Sequence, residues 1–406
     1  MHVFRVAVAA VFLSAFFQAA SASQRDSLAV PAQGTRDIPY FSFGKGLAIA
    51  SPDSLFLLNI RFRMQNRFGF ASADNDYTDL DEVDARVRRM RLRFDGFVYD
   101  PKLTYVIQLS FARADMDFEN SGFPNVLRDA MVFYQLNPNL TIGMGQTKLP
   151  GNRQRVNSSG DLQFPDRSIV NGVFNIDRDF GLQLYYNRNI GKTVWVLRGA
   201  VSSGEGRNAT ASDNGLAYTG RVEFLPFGAF TKGGDYFEGD LVREPLPKLS
   251  IGVTFNENIN SRRTAGQLGA PLYEPRNFTS FMTDWLLKYR GWALAYEFLE
   301  RFSDNPVTTN GTDSRYIFTG SGHNIQLSYY WNPGWEIATR YSSVNPTGPI
   351  NPLEPLIRQY ALGGTRYIKG HRVKLQSDII WEHRKAFAST EAARNLQWRF
   401  QIEVGI

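Results

Sequence analysis

The chain has 406 residues, 14% of them aromatic, 35 glycines and a formal net charge of +6. A mean hydropathy of −0.30 is too polar for a helical membrane protein. The absence of cysteine excludes a disulfide framework, thiolate chemistry, a Cys-built metal site and a lipid anchor through an N-terminal Cys.

The chain opens "MHVFRVAVAAVFLSAFFQAASASQ", of which residues 1–22 read as a secretory signal peptide. Arg5 supplies the positive region, Val6 to Phe17 the apolar run, and Ala20-Ser21-Ala22 the small-residue cleavage site. Cleavage is expected after Ala22 or Ser23; a signal anchor is the competing reading, against which the run is short. Export removes nucleic acid from the expected partners. No later stretch is apolar for 18 residues, so a soluble exported protein or a membrane barrel remains. Residues 23–50 alternate poorly and form an N-terminal periplasmic segment that plugs, hangs free or lies on the rim.

Residues 51–406 alternate apolar and polar in segments of about ten, the pattern of a transmembrane β-barrel strand. Sixteen such segments fall at 55–68, 86–99, 103–114, 125–136, 139–148, 179–188, 193–203, 216–227, 247–257, 278–289, 292–302, 322–332, 335–344, 357–367, 371–384 and 394–406. In the last, Leu396, Trp398, Phe400, Ile402 and Val404 oppose Gln397, Arg399, Gln401 and Glu403. The expectation is an all-β fold, a 16-stranded antiparallel transmembrane β-barrel in the bacterial outer membrane, where single-chain barrels have even strand numbers. Tight Gly, Pro and Asn turns at 100–102, 137–139, 189–192, 290–291, 332–334 and 369–370 alternate with long loops at 149–178, 256–277, 303–321 and 344–356. Residues 228–246 are long where a short turn is due, so they form either an extended periplasmic turn or an uncounted hairpin.

The stretch "ARVRRMRLRFDGFVYD" (85–100) places five arginines in nine positions. With Met90, Leu92, Phe94 and Val98 toward lipid, Arg89, Arg91, Arg93 and Asp95 point into the lumen. A charge facing lipid at mid-membrane costs about 2–4 kcal/mol, which sets that register. Arg86 and Arg88 share the outward parity and are expected near external lipid phosphates. The preceding strand adds Arg61, Arg63 and Arg67 to the lumen, and later strands add Arg198 and Arg221. By the same parity Lys288, Arg340, Arg372, Lys374 and Arg399 face inward, with Asp95, Asp129, Glu223, Asp284, Glu297, Glu336, Asp378, Glu382 and Glu403. Guanidinium stays charged and forks onto carboxylate or phosphate oxygens, and rings of Arg or Lys select anions in pores. Three outcomes stay open: a moderate anion preference, a specific phosphate site, or a basic wall facing an acidic one without useful selectivity.

The segments "RRMRLRFDGFVYDPKLTYVIQLSF" (88–111), "LRDAMVFYQLNPNLTIGMGQTKLP" (127–150) and "DRSIVNGVFNIDRDFGLQL" (166–184) resemble the outer-membrane porins of phosphate-selective O and P type, and "GGTRYIKGHRVKLQSDI" (363–379) does so more weakly. The resemblance implies a passive channel for small hydrophilic solutes, anions such as phosphate among them, assembled as a homotrimer in contact with outer-membrane lipids and lipopolysaccharide. It also implies that the third loop, at about 149–178, folds inward as a constriction carrying Lys148, Arg153, Arg155 and Arg167. Those cations either pass anions along or pin the loop to the acidic wall. Two features depart from the pattern. "KLPG" carries Gly151 where an aromatic is usual, and the lysines that would funnel anions at the external mouth are largely missing, with six of the ten expected at the periplasmic end and an acidic first external loop, "ADNDYTDLDEVD". An enzyme, a cofactor and a metal site are not expected, because His323, His371 and His383 have no partner at catalytic spacing. The alternative function is a non-conducting structural or adhesion barrel.

Overall fold

A computed structural model describes residues 46–72, 81–116, 122, 124–209, 215–331, 333–387, 389 and 392–406. The signal peptide, most of the N-terminal segment and the acidic core of the first loop lie outside these residues.

The strands on the first half of the wall are β1 (Phe56–Ser72), β2 (Glu82–Val98), β3 (Asp100–Ser110), β4 (Leu127–Asn137), β5 (Leu140–Lys148), β6 (Arg178–Ile190), β7 (Thr193–Ser202) and β8 (Ala217–Leu225). Those on the second half are β9 (Lys248–Arg263), β10 (Pro271–Tyr289), β11 (Trp292–Phe302), β12 (Gly320–Trp331), β13 (Trp335–Pro346), β14 (Leu356–Tyr367), β15 (Val373–Lys385) and β16 (Ala393–Gly405). Each pairs antiparallel with its sequence neighbour, and β16 closes on β1 from Leu396↔Ser72 to Gly405↔Arg63. The molecule is a closed 16-stranded antiparallel barrel, the architecture expected from the alternation.

The usual inside and outside are exchanged, as lipid requires. Trp285, Leu287 and Phe281 of β10 are exposed outward, while Ser280, Asp284 and Lys288 are fully buried inward. A short strand, Leu47–Ala50, extends the sheet by pairing with β1 at Leu47↔Ile60 through Ala50↔Leu57, beyond the end of β16. It sits at the rim that carries the short turns.

Two expected loops are shorter than the sequence suggested. The segment 256–277 is mostly strand, because β9 and β10 run on as a long hairpin around residues 264–270. The segment 303–321 holds its own small hairpin, Val307–Thr309 with Ser314–Tyr316. Residues 226–247 form an extended periplasmic turn, and it folds upward into the barrel.

Candidate functional site: an arginine wall and its vestibule

Strands β1 and β2 present arginines directly opposite one another: Arg61↔Arg93, Arg63↔Arg91 and Arg67↔Arg86. Like charges in register destabilise a sheet, so this wall needs anions around it. Asp95 takes Arg61 and, at 3.0 Å, Arg93. Asp84 takes Arg67 at 2.6 Å and Arg86 at 2.8 Å. Glu403 lies 3.8 Å from Arg63, and Asp115 binds Arg91 at 2.7 Å.

The register corrects two expectations. In the β1–β2 ladder Gln65 faces Arg89 and Asn66 faces Val87, which leaves Arg88 as the extra residue of a β-bulge. The bulge reverses the parity of everything toward the outside. Arg88 therefore points into the lumen, 2.9 Å from Asp166, and Arg86 faces Arg67 and Asp84 rather than lipid phosphates. The device recurs in the β3–β4 ladder, where Gln108 faces Asp129, Leu109 faces Leu127 and the extra residue is Arg128. Arg128 is buried in the lumen, 3.1 Å from Asp115. Each bulge aims one more arginine at the same space. Arg372 also departs from its expected place: it is exposed in the turn before β15.

That space is a cavity of about 520 Å³ in the external half of the barrel. Arg88, Arg89 and Arg91 of β2 line it with Arg128, Lys148, Arg155, Arg167, Arg178, Arg207, Arg340 and Arg399, against only three carboxylates, Asp115, Asp166 and Asp177. Of the cations expected at the site, Arg89, Arg91, Lys148, Arg155 and Arg167 meet here. Arg61, Arg63, Arg67 and Arg93 stand on the adjoining wall. Arg198 and Arg221 lie elsewhere. Arg198 donates to the carbonyls of Tyr186 and Leu197, and Arg221 is buried between Glu223 at 2.8 Å and Asp284 at 2.6 Å.

The loop between β5 and β6 crosses the lumen as a constriction. Its apolar residues Leu149, Val170, Phe174 and Ile176 pack on Ala200, Met282, Leu299 and Val344 of the wall, and Phe164 packs on Ala338, Ala361 and Ile380. Lys374 donates to the carbonyls of Gly160 and Leu162, both at 2.8 Å. Within the loop Lys148 donates to the Val156 and Asn157 carbonyls at 2.9 Å, and Arg167 to those of Gln154 and Asn157. Arg155 pairs with Asp177. Burial alone would raise the Asp177 pKa, but Arg155 and Arg178 hold it far below the usual carboxylate range. Arg153 points away from the vestibule, reaching Asp284 at 2.8 Å, Ser250 at 2.8 Å and the Asp235 carbonyl at 2.7 Å.

Beneath the loop the lumen is acidic. Glu223, Asp284, Glu297 and Glu336 of the wall meet Asp235, Glu238 and Asp240 of the inward turn, all buried. Lys288 holds the turn through the Gly234 and Phe237 carbonyls, and Glu238 accepts from Gln154 and Gln163 of the constriction loop at 2.9 Å. Gly239, with φ +74, lies against Glu336 where a side chain would clash. Turn and loop thus share the far side of the lumen, leaving the arginine side for the vestibule.

The comparisons agree with this architecture. The family model of phosphate-selective porin O and P matches residues 58–257, which span β1 to β9 and so include the arginine wall and the constriction loop. No curated protein matches in sequence. The structure is similar to OmpF of Salmonella typhi, solved with daunomycin (TM-score 0.55, 12% identity, 89% of this chain and 100% of that one). It is also similar to an anion-selective porin from Comamonas acidovorans (0.54, 12%, 86% and 100%). A third is the outer-membrane channel DcaP of Acinetobacter baumannii (0.52, 12%, 87% and 99%). Over residues 58–257 the chain matches the family model of phosphate-selective porin O and P, it has the barrel fold of the solved porins, and its place is the bacterial outer membrane.

Proposed function

We propose that this porin passes small hydrophilic solutes passively and prefers anions, which enter through the vestibule and move along the β1–β2 wall. One observation carries the reading: eleven Arg or Lys side chains line the vestibule against three carboxylates. Arg88, Arg89, Arg91 and Arg128 take the entering anion, and Arg63, Arg93 and Arg61 follow toward the periplasm. Successive inward residues on a strand lie roughly 7 Å apart, so neighbouring guanidinium groups can share one ion. Arg153 and Arg221 serve to hold the acidic side closed, and Lys148, Arg155 and Arg167 shape the constriction as well as charge it. Phosphate is the first oxyanion to test, given the family matched.

The test is the zero-current potential of the refolded protein in a planar bilayer under a KCl gradient, with and without phosphate. The expected outcome is a chloride-selective potential that moves toward zero in Arg91→Ala and Arg93→Ala, with phosphate reducing the chloride current. A cation-selective or neutral potential would defeat the anion reading. Absence of conductance would favour the non-conducting barrel instead.

Assembly as a homotrimer is part of the proposal. The chain's seven tryptophans fall on β7, β10–β13, β15 and β16. On the arc β2–β6 the outward residues are mainly aliphatic, among them Met90, Ile107, Val132 and Met144. Tryptophan marks wall that meets the lipid interface, so the tryptophan-free arc is the face for neighbouring copies. Lipids and lipopolysaccharide contact the rest.

A further inference from the structure

Asp166 stands in the constriction loop with its carboxylate among the densest guanidinium groups of the vestibule. One oxygen accepts from Arg89 at 2.7 Å and Arg88 at 2.9 Å, and the other engages Arg67 and lies 3.5 Å from Arg399. Its main-chain carbonyl accepts from Arg340 at 3.0 Å. Burial would raise its pKa, but Arg89, Arg88, Arg67 and Arg399 keep the carboxyl well below the ordinary range, so it stays charged.

Two further facts separate this carboxylate from an ordinary buried counter-ion. Its side chain keeps 20% exposure while Arg67 and Arg89 keep 4%, so it is more open to solvent than either, and it lines the cavity beside Arg88 and Arg89. The loop also has other anchors: Lys374 and Gln376 bind its backbone, Thr365 binds the Gln163 carbonyl at 2.8 Å, and Phe164 packs on the wall. Seating the loop does not depend on Asp166 alone.

We propose that Asp166 is a tethered stand-in for the transported anion and sets how tightly that anion binds. The inference rests on the anion-conducting reading above. Between transits its carboxylate bridges the four guanidiniums, of which Arg67 also holds Asp84 and Arg399 also holds Asp378, while Arg88 and Arg89 have it as their carboxylate partner. An entering oxyanion displaces it and takes over the same N–H donors, and the returning carboxylate expels the oxyanion. A channel needs this compromise, since binding must be strong enough to admit an ion and weak enough to release it. The ligand class is a small oxyanion, inorganic or carboxylate, whose paired oxygens fit guanidinium forks.

Sulfate, divalent across the usable pH range, is the probe, read by its block of chloride current through the wild-type, Asp166→Asn and Asp166→Glu proteins. Asp166→Asn is expected to lower the half-blocking sulfate concentration about tenfold, the gain when the competent state rises from a tenth to nearly all. Asp166→Glu should stay near wild type. Sulfate should also raise the thermal unfolding temperature of folded Asp166→Asn barrels more than that of wild type. An unmoved or weaker block in Asp166→Asn, or larger conductance without tighter block, would mean that the carboxylate only anchors the loop. A variant that folds only with sulfate present supports the proposal, and one that fails to fold in either condition overturns it. If the wild type itself shows no anion preference, the reading beneath the proposal fails; if it does and the block is unmoved, only this inference fails.

Discussion

Arg153 shows how much one side chain holds at the centre of this barrel. It is the loop's ionic tie to the acidic side, bonded to Asp284, Ser250 and the Asp235 carbonyl. Breaking a buried ion pair costs about 3–5 kcal/mol. Arg221 remains on both Asp284 and Glu223 when Arg153 is gone, so Arg153→Met should lie near the lower end, about 3 kcal/mol by urea unfolding in micelles. Channel recordings should become noisier as the loop loosens. The inward direction of Arg89, Arg91 and Arg93 is legible in the sequence because each alternates with an apolar neighbour. That of Arg88 and Arg128 is not, since each is the extra residue of a bulge and strict alternation assigns it the wrong face. A trace exists: Val87 and Met90 are three residues apart where two is the strand period. With that shift allowed, the outward set Val83, Ala85, Val87 resumes at Met90, and both flanking arginines turn inward.

Among the elements, the turn 226–247 is the one whose position could not be read. The sixteen strands were legible to within a few residues because lipid imposes a two-residue period on each. The turn and the constriction loop face no lipid, so their side chains follow no period, and only unusual length marked them. Their attachments join residues far apart in the chain, such as Gln163 with Glu238 and Lys288 with Gly234. Replacing 226–247 with a short Asn-Gly turn should open the acidic side of the lumen. The expected readout is a larger single-channel conductance together with reduced anion preference, since the added path runs past Glu223, Asp284 and Glu297. Unchanged conductance would show that the constriction loop alone seals that side.

For the whole molecule, the uneven distribution of tryptophan implies that the outer surface has two kinds of wall. If the proposed trimer forms through the tryptophan-free arc, Met144→Arg on that arc should convert its band on seminative electrophoresis to monomer. Leu362→Arg, on the tryptophan-bearing side, should cost about 2–4 kcal/mol of folding in the bilayer while leaving the surviving barrels trimeric. The lumen has a consequence of a different kind. The constriction loop is held by Lys374 and Gln376 on β15, more than two hundred residues later in the chain, and the wall closes only when β16 reaches β1. Contacts between such distant segments form slowly. The last two strands therefore do two jobs at once, securing the loop and closing the wall, so the conduit is complete only when the C-terminal end of the chain is in place.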